Sequence, residues 1–160
     1  MQLVKFDSIE VSSNGEQLLN PWAGGFNSPQ FSEIDLNNDG IKDLFTFERD
    51  WYGMSKCFLN KGGFMETYYV HSPEYEHLFP SMQNWALLAD YNCDGKADIF
   101  TSATAGIAVY RNDSQETLSF TKVSSLLKAE TPEGLTNIFV SPPDLPAITD
   151  IDMDGDLDIL

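Results

Sequence analysis

Apolar residues along this chain fall into short runs separated by polar and glycine-rich turns. Leu44-Phe-Thr-Phe47, Ser55-Lys-Cys-Phe-Leu59 and Gly106-Ile-Ala-Val-Tyr110 are representative runs, rich in aromatic and branched side chains. Runs of this length and composition are typical of β-strands. No long helical period interrupts them, although Val123–Glu130 (VSSLLKAE) predicts a short turn of helix. The pattern therefore predicts an all-β fold.

Three acidic segments repeat one pattern, D-x-[DN]-x-D-G-x-x-D-[LI], without gaps. They span Asp35–Leu44, Asp90–Ile99 and Asp150–Ile159, and they begin 55 and 60 residues apart. A repeat of this length accommodates about four short strands with their turns. The unit of organisation is therefore a supersecondary element rather than a whole domain.

Predicted strands flank each acidic segment, so each segment is predicted to be the loop of a hairpin. Phe31–Ile34 and Trp85–Ala89 lead in, whereas Leu44–Phe47 and Ile99–Thr101 lead out. Two further strands complete each of the first two units. They are predicted at Ser55–Leu59 and Phe64–Val70 in the first unit, and at Gly106–Tyr110 and Leu118–Val123 in the second, with connecting loops at His71–Pro80 and Ala129–Gly134.

The acidic segments have the composition of hard-cation sites. Positions 1, 3, 5 and 9 carry carboxylate or amide oxygens, position 7 offers a backbone carbonyl, and glycine at position 6 permits a sharp bend. Oxygen ligands in a flexible loop favour calcium over zinc or copper. Asx turns without a metal are the alternative. The predicted ligands are Asp35, Asn37, Asp39, the carbonyl of Ile41, and Asp43; Asp90, Asn92, Asp94, the carbonyl of Lys96, and Asp98; and Asp150, Asp152, Asp154, the carbonyl of Asp156, and Asp158.

These loops are not EF-hands, which need a glutamate at loop position 12 and flanking helices. Position 12 is Thr46 in the first loop and Thr101 in the second, and the flanks are predicted strands. The third loop has the most carboxylates and is expected to bind calcium most tightly.

Charge supports the same interpretation. The chain has 9 Lys+Arg against 25 Asp+Glu, a formal net charge of −16 and a pI near 4.1. Eleven of those acids lie in the three loops, so up to three bound Ca²⁺ ions would bring the net charge to −10. A surface this acidic repels phosphate backbones and anionic membranes, which argues against nucleic acid as a partner. No apolar stretch is long enough to predict membrane insertion, and Met1–Glu10 lacks the layout of a secretion signal.

Other residues with chemical potential give weaker signals. His71 and His77 are a conceivable catalytic pair, although solvated loop histidines are the commoner case. A disulfide between Cys57 and Cys93, or two free thiols, both fit two isolated cysteines. Trp85 is predicted to be core, whereas Trp51-Tyr52 and Trp22 lie in predicted turns or loops, where an exposed ring can stack on a sugar or a partner.

The three repeated loops with strand flanks resemble the FG-GAP or VCBS repeat of integrin-α-like β-propellers. Asn20-Pro-Trp-Ala-Gly-Gly-Phe-Asn27 and Val109-Tyr-Arg-Asn-Asp113 further resemble secreted VCBS-repeat proteins of the Bacteroidota. The resemblance implies a four-stranded antiparallel blade per repeat, a calcium ion in each hairpin loop, and a secreted or cell-surface parent protein. The Phe-Gly and Gly-Ala-Pro signature of the family is degenerate here, with Gly24-Gly25-Phe26 and Pro29 in the first unit.

The resulting expectation is a partial β-propeller acting as a calcium-binding scaffold for adhesion, protein or glycan contacts, without enzymatic activity. The alternative is the non-catalytic propeller portion of a secreted carbohydrate- or lipid-active enzyme. We expect a fragment of a longer protein, because the third unit stops one residue into its second strand. The predicted divisions are N-terminal strands at 1–20, blade 1 at 21–79, blade 2 at 80–140, and the start of a truncated blade 3 at 141–160.

Overall fold

A computed structural model of the chain describes residues 9–49, 53–62 and 68–160. These residues form fourteen β-strands and one short 3₁₀ helix, and all strand pairs are antiparallel. The strands are β1 (Ser12–Ser13), β2 (Glu16–Gln17), β3 (Pro29–Ile34), β4 (Asp43–Glu48), β5 (Met54–Asn60), β6 (Tyr69–His71), β7 (Ala86–Ala89), β8 (Asp98–Ala103), β9 (Gly106–Asn112), β10 (Phe120–Ser124), β11 (Lys128–Thr131), β12 (Gly134–Asn137), β13 (Ile148–Thr149) and β14 (Asp158–Ile159), and the 3₁₀ helix is Pro73–Leu78.

Two four-stranded sheets contain the first two acidic loops. In the first sheet the order is β3-β4-β5-β6, and in the second it is β7 to β10 in sequence. Each loop joins the first two strands of its sheet, so that Ile34 lies opposite Asp43 and Ala89 lies opposite Asp98. The third loop joins β13 to β14, a two-stranded hairpin. The predicted all-β fold with antiparallel hairpins is confirmed. The described residues do not close a ring of sheets, so the propeller remains a prediction.

Apolar side chains between successive sheets form two buried clusters. The first combines Phe45, Phe47 and Cys57 of the first sheet with Ala86 and Ile99 of the second. In the second cluster, side chains of the second sheet meet those of the third hairpin. Full burial stabilises the folded state by about 1.5 to 3 kcal/mol for each large apolar side chain. The members of this second cluster are Trp85, Phe100, Ile107 and Val109, packed against residues that include Ile148, Leu157 and Ile159.

Side chains also join the two four-stranded sheets directly. The amide N–H of Ala86 donates to Oε1 of Gln30 at 3.0 Å, and that of Leu88 donates to Oγ of Ser32 at 3.2 Å. The edge of β7 is thus bonded to the polar side chains of β3. This joint fixes the spacing between the two acidic loops, since each loop begins just beyond one of these strands.

The segment after β10 differs from its prediction. The short helix predicted at Val123–Glu130 is wrong, because β10 and β11 occupy most of this range. The loop predicted at Ala129–Gly134 is likewise wrong, since β11 and β12 form a hairpin there. Backbone hydrogen bonds to distant residues override the helical preference of this segment. The N–H of Leu127 donates to Ile107 O at 2.8 Å, and the N–H of Ile138 donates to Leu127 O at 2.9 Å.

Gly106 is needed where this segment crosses the start of β9. A Cβ atom at this position would lie 2.5 Å from the carbonyl oxygen of Ile138, much closer than van der Waals contact allows. The connection predicted at His71–Pro80 is also more ordered than a plain loop, because it contains the 3₁₀ helix.

Several sequence predictions concern the termini and the boundaries of the repeats. A turn at Asn14-Gly15 joins β1 to β2 within the predicted N-terminal strands, with φ values of 53° and 84°. Trp51, Tyr52 and most of the predicted strand Phe64–Val70 lie outside the described residues. The divisions at 1–20, 21–79, 80–140 and 141–160 remain predictions.

Within the described ranges, no helix has the length and apolar character needed to cross a membrane.

Candidate metal sites

The first aspartate of each acidic loop organises the turn around its own carboxylate. In every loop this carboxylate accepts the backbone N–H groups of positions 5 and 6. The loops therefore share one hydrogen-bonding pattern as well as one sequence pattern. The bonds are Asp39 N (3.2 Å) and Gly40 N (2.8 Å) to Asp35, Asp94 N (3.1 Å) and Gly95 N (2.7 Å) to Asp90, and Asp154 N (3.2 Å) and Gly155 N (3.1 Å) to Asp150.

Two residues in each loop adopt left-handed backbone conformations. The glycine at position 6 does so in all three loops, with φ between 82° and 98°. The residue at position 4 is also left-handed, although it is not glycine: φ is 61° at Asn38, 60° at Cys93 and 63° at Met153. Asparagine tolerates this conformation, whereas for most other side chains it costs roughly 1 to 2 kcal/mol. The second and third loops therefore hold backbone strain that the first loop largely avoids.

Position 3 distinguishes the loops chemically. The amide of Asn37 donates to Asp39 Oδ2 at 2.9 Å, and that of Asn92 donates to Asp94 Oδ2 at 3.0 Å. The pKa of Asp94 is lowered by its bond from the Lys96 N–H and, secondarily, by the Asn92 amide. The third loop has Asp152 at this position, a residue without an amide donor. Position 7 of this loop is also an acid, Asp156, and the charge of the neighbouring Asp154 is the main cause that raises its pKa.

Three carboxylates of the third loop converge closely enough to bind one ion. One oxygen each from Asp150, Asp152 and Asp158 lies within 4.8 Å of the other two. Oxygens that share a Ca²⁺ ion lie 2.3 to 2.6 Å from it and hence at most about 5 Å apart. Both the donor chemistry and the spacing therefore fit a calcium ion.

The aspartate at position 9 anchors each of the first two loops to its sheet. Asp43 and Asp98 are fully buried, at 0% exposure. Asp43 accepts the N–H groups of Leu36 and Asn60, both at 2.8 Å, and so ties the loop to the end of β5. Asp98 accepts those of Tyr91 at 2.8 Å and Asn112 at 2.6 Å, which ties the second loop to β9. Burial raises the pKa of both carboxyl groups despite these bonds.

Asn60 and Asn112 complete these anchors, although neither belongs to the repeated ten-residue pattern. The side-chain amide of Asn60 donates to Lys42 O at 3.3 Å, and that of Asn112 donates to Ala97 O at 3.1 Å. Both accepting carbonyls belong to loop position 8. Aligning the third strands of the two units provides the missing signal, because an asparagine ends each one. The anchor is thus formed by an aspartate at position 9 and an asparagine at the end of the third strand.

The structure thus brings the predicted side-chain ligands at positions 1, 3 and 5 of each loop into one hydrogen-bonded turn, and in the third loop an oxygen of position 9 lies within 4.8 Å of oxygens of positions 1 and 3. At position 7, the N–H groups of Ile41, Lys96 and Asp156 donate to the carboxylate at position 5, at 2.8, 2.9 and 3.2 Å. Metal ligation by any of these residues, including the position 7 carbonyls, remains a prediction. The loops also lie near one another, with a cavity of about 220 Å³ between the first and second and one of about 420 Å³ between the second and third.

The remaining candidate residues lie elsewhere. His71 Nε2 is 2.8 Å from Glu76 Oε1, and its ring packs at 5.2 Å from that of Phe58, so the expectation of a solvated loop histidine is wrong for His71. His77 is exposed in the 3₁₀ helix.

Cys57 is buried and Cys93 is exposed, and both are free thiols. Burial is the main cause that raises the pKa of Cys57.

A match to a known repeat family covers the second and third acidic loops. Residues 90–160 match the family model of the FG-GAP-like repeat. The matched segment begins at the first residue of the second acidic loop and includes the third. This match supports the predicted FG-GAP family, while the VCBS type and the Bacteroidota origin remain predictions. Comparisons with curated proteins and with solved structures found no match.

Proposed function

We propose that this chain is a calcium-binding, integrin-α-like repeat domain of an extracellular or cell-surface protein. Its role is that of a rigid scaffold for adhesion, protein or glycan contacts, and it has no catalytic activity of its own. The proposal builds on the FG-GAP-like repeat at residues 90–160.

A single observation carries the calcium proposal: three loops far apart in sequence form the same turn from oxygen-rich residues. In each, the position 1 carboxylate bonds the N–H groups of positions 5 and 6. An Asx turn needs only one such carboxylate. The remaining acids of each loop are therefore in excess of what the turn requires, and they concentrate negative charge where repulsion destabilises the fold.

Within each loop, the side chains at positions 1, 3 and 5 would hold the ion, together with the position 7 carbonyl. The aspartate at position 9 would contribute an oxygen while it keeps the loop on the third strand. A bound Ca²⁺ supplies two positive charges that offset this repulsion. The expected consequence is a stiffer set of hairpins rather than a chemical reaction.

Thermal unfolding of the purified chain in Ca²⁺, in Mg²⁺ and in chelator tests the proposal. A ligand that binds only the folded state at about 100 times its Kd adds roughly 2.7 kcal/mol of stability. For a domain of this size, that corresponds to a rise in Tm of about 5 to 10 °C. We expect this rise in Ca²⁺ and a much smaller one in Mg²⁺. Cooperative melts at one temperature in all three conditions would reject calcium binding.

A charge-matched pair of variants controls for nonspecific effects. Asp39→Asn, Asp94→Asn and Asp154→Asn together change position 5 of all three loops. Glu116→Gln, Glu133→Gln and Asp144→Asn change three exposed acids outside the loops by the same charge. We expect the first triple variant to lose the Ca²⁺ response and the second to keep it. Equal loss in both would attribute the response to general charge screening.

A further inference from the structure

A pocket beside β6, the last strand of the first sheet, is separate from all three acidic loops. Its volume is about 370 Å³, near the lower limit of roughly 300 to 1,000 Å³ for small-ligand sites. A pocket of this size suits one or two sugar rings rather than a folded partner. Its walls come from Asn20–Ala23 and from residues of the 70–74 segment, including Pro21, Trp22, Val70, His71, Pro73 and Glu74.

Trp22 is held in this pocket with much of its surface open. The indole N–H donates to the carbonyl oxygen of Ile9 at 2.8 Å. The residue nevertheless remains 41% exposed, whereas Trp85 in the core is 0% exposed. A large aromatic surface that is both anchored and exposed loses little conformational entropy when a ligand stacks on it.

The two walls are fastened together by bonds between distant parts of the chain. The side chain of Asn20 donates through Nδ2 to Tyr69 O at 2.7 Å and accepts the N–H of His71 through Oδ1 at 2.7 Å. His71 is in turn bonded to Glu76 at 2.8 Å. The segment that carries Trp22 is therefore fixed against β6, and the pocket is formed before any ligand arrives.

Polar chemistry in the pocket includes an exposed carboxylate. Glu74 lines it and lies at the start of the 3₁₀ helix. A carboxylate accepts hydrogen bonds, which suits hydroxyl donors. A pyranose offers both features that this surface complements, an apolar C–H face and a rim of hydroxyl groups. The net charge of −16 disfavours an acidic sugar.

We propose that this pocket binds a neutral saccharide, with one sugar ring stacked on Trp22 and hydroxyl groups donating to Glu74. The proposal rests on the scaffold role proposed above and specifies one class of ligand for it. It does not require the acidic loops to bind calcium, because the pocket shares no residue with them. A proline-rich peptide is the other ligand that an aromatic and proline-lined groove accepts.

Saturation-transfer-difference NMR on the full chain tests the proposal. The probes are glucose, galactose, mannose, N-acetylglucosamine, maltose and cellobiose, each in Ca²⁺ and in chelator, with a proline-rich decapeptide as a further probe. We expect transfer to the C–H protons of at least one sugar, with a Kd of about 1 mM for so small a contact. No transfer to any of the sugars, or transfer to the peptide alone, would overturn the proposal.

Variants locate the site. Trp22→Ala is expected to weaken binding by about tenfold or more, and Trp22→Phe, which keeps an aromatic face, by less. Glu74→Gln keeps an acceptor but loses the charge, and it is expected to weaken binding severalfold. Phe139→Ala, a change at another exposed aromatic, is the matched control and is expected to have no effect.

Two results would contradict this location. The first is unchanged binding in Glu74→Gln together with unchanged binding in a folded Trp22 variant, either Trp22→Ala or Trp22→Phe. The second is loss of binding in Trp51→Ala alone. Circular dichroism checks that each variant is folded. Calcium-dependent melting of the same samples reports separately on the loops, so failure of one proposal is distinguishable from failure of the other.

Discussion

The second and third acidic loops share a sequence pattern and a turn, yet the fold anchors them differently. Asp98 is fully buried and accepts two backbone N–H groups, one from its own loop and one from β9. Asp158 is partly exposed and, among the described residues, accepts one backbone N–H, that of Ile151 at 3.0 Å. The turn is therefore a local property of the loop sequence. The anchoring of position 9 depends on a third strand.

The largest expected difference follows from removing these two carboxylates. Asp98→Ala leaves two N–H groups without their acceptor in a buried site, at about 1 to 3 kcal/mol each. We expect Asp98→Ala to lower the free energy of unfolding by about 3 kcal/mol and Asp158→Ala by about 1 kcal/mol. Urea unfolding in chelator measures both without any contribution from calcium. Equal losses would mean that the third strand contributes nothing to the anchor.

Next in size is the effect of removing one position 5 carboxylate. Asp94→Ala is expected to reduce the bound calcium by one ion and to destabilise the second sheet by about 2 kcal/mol in excess Ca²⁺. Calorimetric titration gives the stoichiometry, and urea unfolding gives the stability. Loss of all bound calcium in this variant would show that the loops bind as one cooperative unit instead of separately.

A smaller effect is expected at the asparagine that caps the second loop. Asn112→Ala removes the donor to Ala97 O and the Oδ1 acceptor of the Ser114 N–H and hydroxyl, but it keeps the backbone N–H that Asp98 accepts. At a net contribution of about 0.5 kcal/mol for each of these three bonds, the expected loss is roughly 1.5 kcal/mol. Asn137→Ala is the matched control, since Asn137 also ends a strand but is exposed. A melting temperature equal to that of the control would exclude Asn112 from the anchor.

The smallest predicted effect is a gain at position 4. Cys93→Asn and Met153→Asn introduce asparagine at two left-handed positions. Asparagine is the residue that the first loop already has at the equivalent position 38. Each is expected to stabilise the chain by about 0.5 to 1 kcal/mol, measured by urea unfolding. Met54→Asn, at an exposed position in β5, is the control and should give no gain. A loss of stability in both loop variants would contradict the strain assigned to these residues.

The sequence predicts the features that depend on short stretches of chain. The three turns follow from glycine at position 6 and an aspartate that bonds nearby N–H groups, both visible in the repeat. Aromatic and branched runs such as Leu44–Phe47 predict strands, and β4 covers that run. The sequence also predicts Trp85 in the core, and Trp85 is fully buried.

Features that depend on contacts between distant residues were not predictable in the same way. Leu126-Leu127-Lys128-Ala129-Glu130 has good helix formers, yet bonds from Leu127 to Ile107 and from Ile138 to Leu127 draw the segment into extended structure. Burial of Asp43 and Asp98 likewise requires the third strand, which no nine-residue motif encodes. The pocket at Trp22 depends on a bond between residues 49 positions apart.

Asn20 has one more consequence, for the solubility of the protein. The outer strand β6 presents backbone N–H and C=O groups at the margin of its sheet, and such margins recruit strands from neighbouring molecules. The Asn20 amide occupies both Tyr69 O and His71 N, as an added strand would. A single side chain thereby blocks the margin against intermolecular pairing, and its loss would expose the chain to aggregation through this strand.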